Sequence, residues 1–435
     1  MRYTVGSCPS TPDKKISPLI SSTPDLTLLL SSPKFSVRKV FKTPHLARLI
    51  VTQNPQIFSY FKSHISDLLK IALNVEDQFS KNAFDLLEGG QKDITDELCA
   101  GDYIQIISQS ILVNTQLNPI SLFRICQLTY QIILFYPISF PTNCEFIMKL
   151  LSFIEHQTVL SFFENIFTDD SRLNAAQNFL IRQGIVNILT EPLSKWPVDH
   201  TAHYGDKEFE KLHNSLQLFR VASTVPRLSA EFIKPFIIQI FQFRVSILPS
   251  IVEAQRWKVL DALYSMKSAY LFRGLFLNAL EIISEPYDTV QEIHVCALNL
   301  ISKMIQYDHV LIQFIRDSQI WQVLTRLLIQ FPLHTFIARS IYNFFNQAFQ
   351  IKDLHQKCGD ILLTLFLDNK NETGILRFAI GKCAIDYAKQ DKEFDVMIKE
   401  IPGYDSWKEE QDKRERCNGY GGKTPHHSTI SEEII

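Results

Sequence analysis

The chain has 435 residues, with 44 lysines and arginines against 46 acids and a formal net charge of −2. That balance excludes a globally basic nucleic-acid binder, and 46% hydrophobic with 21% charged residues excludes a chain disordered throughout. Glycine is scarce (14 residues) and phenylalanine abundant (32), which excludes a glycine-turn-rich β fold and points to packed helices.

Residues 1–24, "MRYTVGSCPSTPDKKISPLISSTP", alternate Ser, Thr and Pro. Each proline removes a backbone donor and biases its predecessor away from the helix, so this stretch is expected to be a disordered arm. Thr11, Ser17 and Thr23 each precede a proline and are candidate phosphorylation sites. No apolar core of a signal peptide opens the chain. The eight cysteines lack a C-x-x-C pair, which suits reduced thiols in the cytoplasm, with the nucleus as a second compartment. No run reaches the ~18 apolar residues of a membrane span. The nearest, "FIIQIFQFRVSIL", is interrupted by Gln239, Gln242 and Arg244.

From Lys34 to Arg48 the bases Lys34, Arg38, Lys39, Lys42 and Arg48 occur with no acid among them. A solvated helix face explains this stretch. Lys39 and Lys42 are also candidate contacts for an acidic partner.

From Leu26 to about Glu415 the apolar pattern is helical throughout. Ile293, Cys296, Ala297, Leu300, Ile301 and Met304 occupy one helix face, as do Ile320, Leu324, Leu327, Leu328 and Phe331. Short breaks separate segments of ~12–20 residues, giving roughly eighteen helices over 25–416 and an all-α chain. Consecutive helix pairs joined by short turns suggest a HEAT/armadillo-like α-solenoid, although no strict sequence repeat is visible. Ser194–Lys211 is the best candidate for a protruding loop. Residues 417–435 are polar and expected to be a disordered tail.

The chemistry-bearing clusters give little. Asp199, His200 and His203, with His213 nearby, offer metal-ligand types, but in a polar loop beside Pro197 with no fourth ligand implied. Gly421–Thr424, "GGKT", resembles the end of a phosphate loop, yet Cys417 stands where the first glycine belongs. Asp353, His355 and Cys358 lie within six positions. With Leu354, Ile361, Leu362, Leu365 and Phe366, however, Cys358 falls inside an apolar stripe, where a thiol acts as a small hydrophobe. Asp353 suits a helix start. No catalytic residue, metal or cofactor is expected, and binding on an extended concave surface is.

Several stretches, in order along the chain, resemble the SAPS-domain family, the regulatory subunits that associate with protein phosphatase 6. "LHQKCGDILLTLFLD" is similar to a family element opening Leu-Phe-Gln-Lys-Cys, through Leu354, Gln356, Lys357 and Cys358. "LLIQFPLHTFIARSIYNFF" resembles an aromatic-Pro-Trp-Asn-Asn-Phe-Leu-His element through Phe331, Pro332, Phe336 and Ile337. Leu333, His334 and Thr335 stand for its Trp and paired Asn, and Ala338 for its His. "EFIMKLLSFIEHQTVLSFFENIF", "AFDLLEGGQKDITDEL" and "HNSLQLF", the last matching at Asn214, are similar to further family segments. Trp407, Asn418 and Gly421-Gly422 resemble its closing pattern. The likeness covers about 25–422. The N-terminal helix is acidic in relatives and basic here.

The resemblance implies a non-catalytic helical subunit that holds a phosphatase-6-like serine/threonine phosphatase catalytic subunit and directs it to substrates or to a further scaffold protein. Partner contacts are expected on the concave surface and on inter-helix turns, since loops and exposed groups carry binding more often than the core does. The candidates are the turn carrying Phe331, Pro332, His334 and Phe336, and the segment from Asn214. Pro332 ending one helix and Asn214 capping the next are structural readings of the same residues. The other reading is a HEAT/armadillo adaptor of trafficking or nuclear transport.

Overall fold

The computed structural model describes residues 30–419, apart from 31–35, 44–45, 53, 90–91, 114–116, 138–144, 197–204, 243–247, 266, 333 and 368–373. Thr11, Ser17, Thr23, Asp199, His200, His203 and the GGKT stretch therefore lie outside the described residues. Within them the chain is all-α, with 25 α-helices, four short 3-10 turns and no strand. No helix there is long and apolar enough to cross a membrane.

The count exceeds the expected eighteen because several breaks are only one or two residues long. A single residue, His64, separates α3 (Pro55–Ser63) from α4 (Ile65–Leu73). At the break the Ser63 hydroxyl donates to the Tyr60 carbonyl (2.8 Å), and His64 Nδ1 lies 2.9 Å from the same oxygen. Side chains thus compete for a carbonyl that would continue the helix. Gly184, at φ 80°, separates α11 (Asn174–Arg182) from α12 (Ile185–Ser194) in a left-handed conformation that glycine tolerates. The basic stretch is likewise two short helices, α1 (Val37–Phe41) and α2 (Leu46–Val51), rather than one.

Where the sequence suggests a single domain, the chain forms two compact units, Met1–Glu145 and Phe146–Ile435. The first contains α1 to α4, then α5 (Ser80–Glu88), α6 (Lys92–Ala100), α7 (Tyr103–Ile111) and α8 (Pro119–Phe135). Its centre is α4, all of whose apolar side chains are buried. The C-terminal carbonyls of α4 have no partner within the helix, and donors from other helices supply them. Arg124, on α8, donates to Ala72 O (2.6 Å), and Ser121 to Leu73 O (2.8 Å).

The second unit begins with α9 (Ile147–Leu150), α10 (Gln157–Ile166), α11 and α12. It continues with α13 (Lys207–Thr224), α14 (Ser229–Phe232), α15 (Pro235–Gln242) and α16 (Ser250–Leu263). Then come α17 (Leu275–Ser284), α18 (Glu292–Tyr307), α19 (His309–Asp317), α20 (Ile320–Gln330) and α21 (Thr335–Ala348). The last four are α22 (His355–Phe366), α23 (Gly374–Ala388), α24 (Lys392–Lys399) and α25 (Tyr404–Gly419). The expected loop Ser194–Lys211 is already helical from Lys207, and the expected tail is helical to Gly419.

Five of these helices form a row. α13 packs against α16, α16 against α18, α18 against α21, and α21 against α23. They begin at residues 207, 250, 292, 335 and 374, so the intervals are 43, 42, 43 and 39 residues. α17, α20 and α22 form a parallel succession, α17 meeting α20 and α20 meeting α22.

Side-chain donors from later helices satisfy carbonyls at earlier helix ends. Arg326 Nη1 and Nη2 donate to Ser284 O (2.9 Å) and Ile283 O (2.8 Å). The buried Arg256 donates to Phe241 O while its guanidinium pairs with Glu253. Arg377, 4% exposed, donates to Leu365 O (2.7 Å) and Phe366 O (3.3 Å). These contacts fix neighbouring helices in register, because a buried carbonyl left without a donor costs about 1–3 kcal/mol.

Candidate partner-binding groove

The exposed sides of α16, α18 and α21 enclose an open groove of about 400 Å³. On α18 its wall is Val295, Asn299, Lys303 and Gln306, and on α21 it is Phe336, Arg339, Asn343 and Gln347. These positions recur every three or four residues, one face of each helix. The opposite faces are buried: Leu300, Ile301, Met304, Ile337, Ile341 and Phe344 are all 0% exposed. The helices thus use one side for the core and leave a polar side open.

On the floor, the Ser340 hydroxyl donates to Phe336 O (3.0 Å) and that of Ser302 to Leu298 O (2.9 Å). Lys303 is held by Asp261 on α16, its ammonium 2.7 Å from Oδ2 and 3.2 Å from the Asp261 carbonyl. Arg339 is exposed and forms no hydrogen bond or ion pair among the described residues. The side-chain amides of Asn299, Gln306, Asn343 and Gln347 likewise have no protein partner there. Phe336 closes one end, 68% exposed despite its size. A second, more apolar cavity of about 530 Å³ is lined by Met148, Ile188, Pro192 and Trp196 among others.

Of the residues expected to face a partner, only Phe336 lies in the groove. Phe331 and Pro332 form the turn before α21, half-buried, with the Phe331 ring stacked 5.5 Å from Tyr287. Tyr287 stacks in turn on His294 at 3.7 Å. Helix α20 ends at Gln330, so Pro332 follows a helix end as the sequence suggests. His334 is the N-cap of α21 and accepts from Ile337 N. Asn214 is neither a cap nor exposed. It sits inside α13, 4% exposed, and donates to Ile154 O (2.9 Å) and Glu155 O (3.3 Å). The sequence alone put it at a helix start, but α13 begins seven residues earlier, at Lys207.

Lys39 and Lys42 are exposed, on α1 and at its C-cap in the first unit. Their neighbour Arg38 is bound to Asp77 at 2.7 Å. Burial raises the Asp77 carboxyl, but the Phe79 amide and Arg38 outweigh it and hold the group below the usual range.

The Asp353–Cys358 cluster has structural duties. Cys358 is 0% exposed on α22, and burial pushes its thiol far up, so no thiolate forms near neutrality. His355 Nε2 is 2.8 Å from Phe349 O, and its ring packs against Tyr387 and Phe394. Asp353 belongs to the 3-10 turn Lys352–Leu354, and Leu354 rather than Asp353 is the N-cap of α22. Burial also pushes the thiols of Cys99, Cys126 and Cys296 up to about 12. Among the described residues no group of three or more His, Cys, Asp and Glu side chains could hold a metal.

Sequence reasoning missed Asn299, Lys303, Arg339 and Asn343. The one available signal was the run of polar residues at helical spacing opposite each apolar stripe. Compared with known protein families and with curated proteins, the sequence matches none.

Proposed function

We propose that this chain is a non-catalytic helical scaffold that holds a phosphatase-6-like serine/threonine phosphatase catalytic subunit in the cytoplasm and brings it to substrates or a further scaffold. The second unit is read as a HEAT/armadillo-like α-solenoid. The observation that carries that reading is the row α13–α16–α18–α21–α23, whose members begin 39–43 residues apart and pack in sequence. HEAT and armadillo repeats are about 40–47 residues long, and each buries its apolar face against its neighbours. The choice of partner rests on the ordered resemblance to the SAPS-domain family. The structural roles of Cys358 and His355 and the thiols raised by burial are in keeping with a protein whose chemistry belongs to a partner.

Purification of the tagged chain from its own cells, read by mass spectrometry, tests the proposal. A type-2A-like catalytic subunit among the recovered proteins is the expected result. Recovery of transport or trafficking partners in its place would favour the adaptor reading.

A further inference from the structure

We propose that the groove between α18 and α21 binds an extended, acidic peptide segment of a partner protein. The proposal does not rest on the phosphatase reading. It rests on what the groove leaves unsatisfied.

The lining positions run from Val295 to Gln306 on one helix and from Phe336 to Gln347 on the other, three turns of each. At 1.5 Å per residue this is about 16 Å, the length of roughly five residues of extended chain at about 3.3 Å each. Asn343 and Gln347 are four residues apart, about 6 Å along the helix, close to the ~6.7 Å two-residue repeat of an extended peptide. A carboxamide offers both a donor and an acceptor, so a row of them matches the alternating N–H and C=O groups of a peptide backbone. Serine hydroxyls on the floor are bonded within their own helices, which leaves the amides as the free recognition groups.

Charge selects the sign of the peptide. Lys303 is neutralised by Asp261, so Arg339 is the groove's uncompensated cation. Its guanidinium is suited to bidentate pairing with a carboxylate. Phe336 offers an exposed ring to one apolar side chain of the same peptide. A nucleic acid would require several cations along the groove for its phosphates, and an apolar lipid tail would not match the amides. Occupancy by an extended acidic segment satisfies Arg339, the amides and Phe336 together.

The test uses the full-length chain, immobilised, and a synthetic library of random nonapeptides, with captured peptides sequenced by mass spectrometry. Enrichment in Asp and Glu over Lys and Arg is expected. The Arg339→Glu protein should lose that enrichment and bind the selected acidic peptides about tenfold more weakly, the scale of one charge-assisted hydrogen bond. Phe336→Ala should remove the preference for an apolar residue in the selected set. Both residues are exposed, and unchanged tryptophan-fluorescence unfolding of each variant checks that the fold is intact. Capture without acidic enrichment, acidic enrichment that survives Arg339→Glu, or failure to retain any peptide would each overturn the proposal. Each result is obtained without a catalytic subunit, so it stands apart from the outcome of the partner purification.

Discussion

Asn214→Ala separates a structural role from a partner contact at a residue the sequence nominates for both. The side chain is 4% exposed and its Nδ2 serves two carbonyls, Ile154 O and Glu155 O. Truncation leaves both without a donor, an expected loss of about 1–3 kcal/mol. With a urea m-value of about 3 kcal/mol/M, the upper end expected for a unit this large, the midpoint falls by about 0.3–1 M. The assay is built into the chain. All four tryptophans, Trp196, Trp257, Trp321 and Trp407, lie in the second unit and are at most 9% exposed, so their emission reports its unfolding. Asn214→Asp should be worse than Ala near neutral pH, since a carboxylate would face two carbonyl oxygens. Its folded-state pKa would then lie above the unfolded ~3.9, so the folded form binds more protons and stability falls as pH rises through that range. An Asn214→Ala protein with an unchanged midpoint and a lost partner would refute this reasoning and return the residue to the surface.

Further outcomes follow from the same structure. Arg326→Leu should destabilise the second unit by about 1–3 kcal/mol, because Ile283 O and Ser284 O lose their donors; tryptophan-monitored urea unfolding reads it, and a change within ~0.5 kcal/mol, the range of surface substitutions, would deny that the contact fixes helix register. Iodoacetamide at pH 8, with mass spectrometry, should label Cys358 only after unfolding, whereas Cys383, half-buried and pushed up to about 11, should react slowly; rapid native labelling of Cys358 would reopen the thiol reading. His294 has its pKa lowered by burial, so the unfolded chain binds the extra proton as pH falls through its ordinary value near 6.5. Its contribution is therefore present above that pH and lost below it, and His294→Gln should flatten the dependence of stability on pH just below about 6.5.

The helical class was legible because the apolar period survives along the whole chain, and the burial of Cys358 followed from its place in one such stripe. The breaks at His64 and Gly184 were not legible, since only one or two residues separate the helices on either side and no proline marks them. The recurrence at about 42 residues was hidden for a different reason. Donors reaching earlier helix ends vary in type, Asn214, Arg326 and Arg377, so no fixed letter marks the repeat. Phe336 could be singled out from sequence, but the groove around it could not. Asp261, Lys303 and Arg339 come from three helices and meet only when those helices pack. The Asp261–Lys303 pair itself spans 42 residues of chain.

The central claim, a scaffold that carries a phosphatase, is tested most directly by the native mass of the complex purified from the protein's own cells. The account predicts a species containing this 50.3 kDa chain together with a phosphatase-6-like catalytic subunit. A purified chain that is intact and folded by its tryptophan emission, yet carries no such subunit, would contradict it.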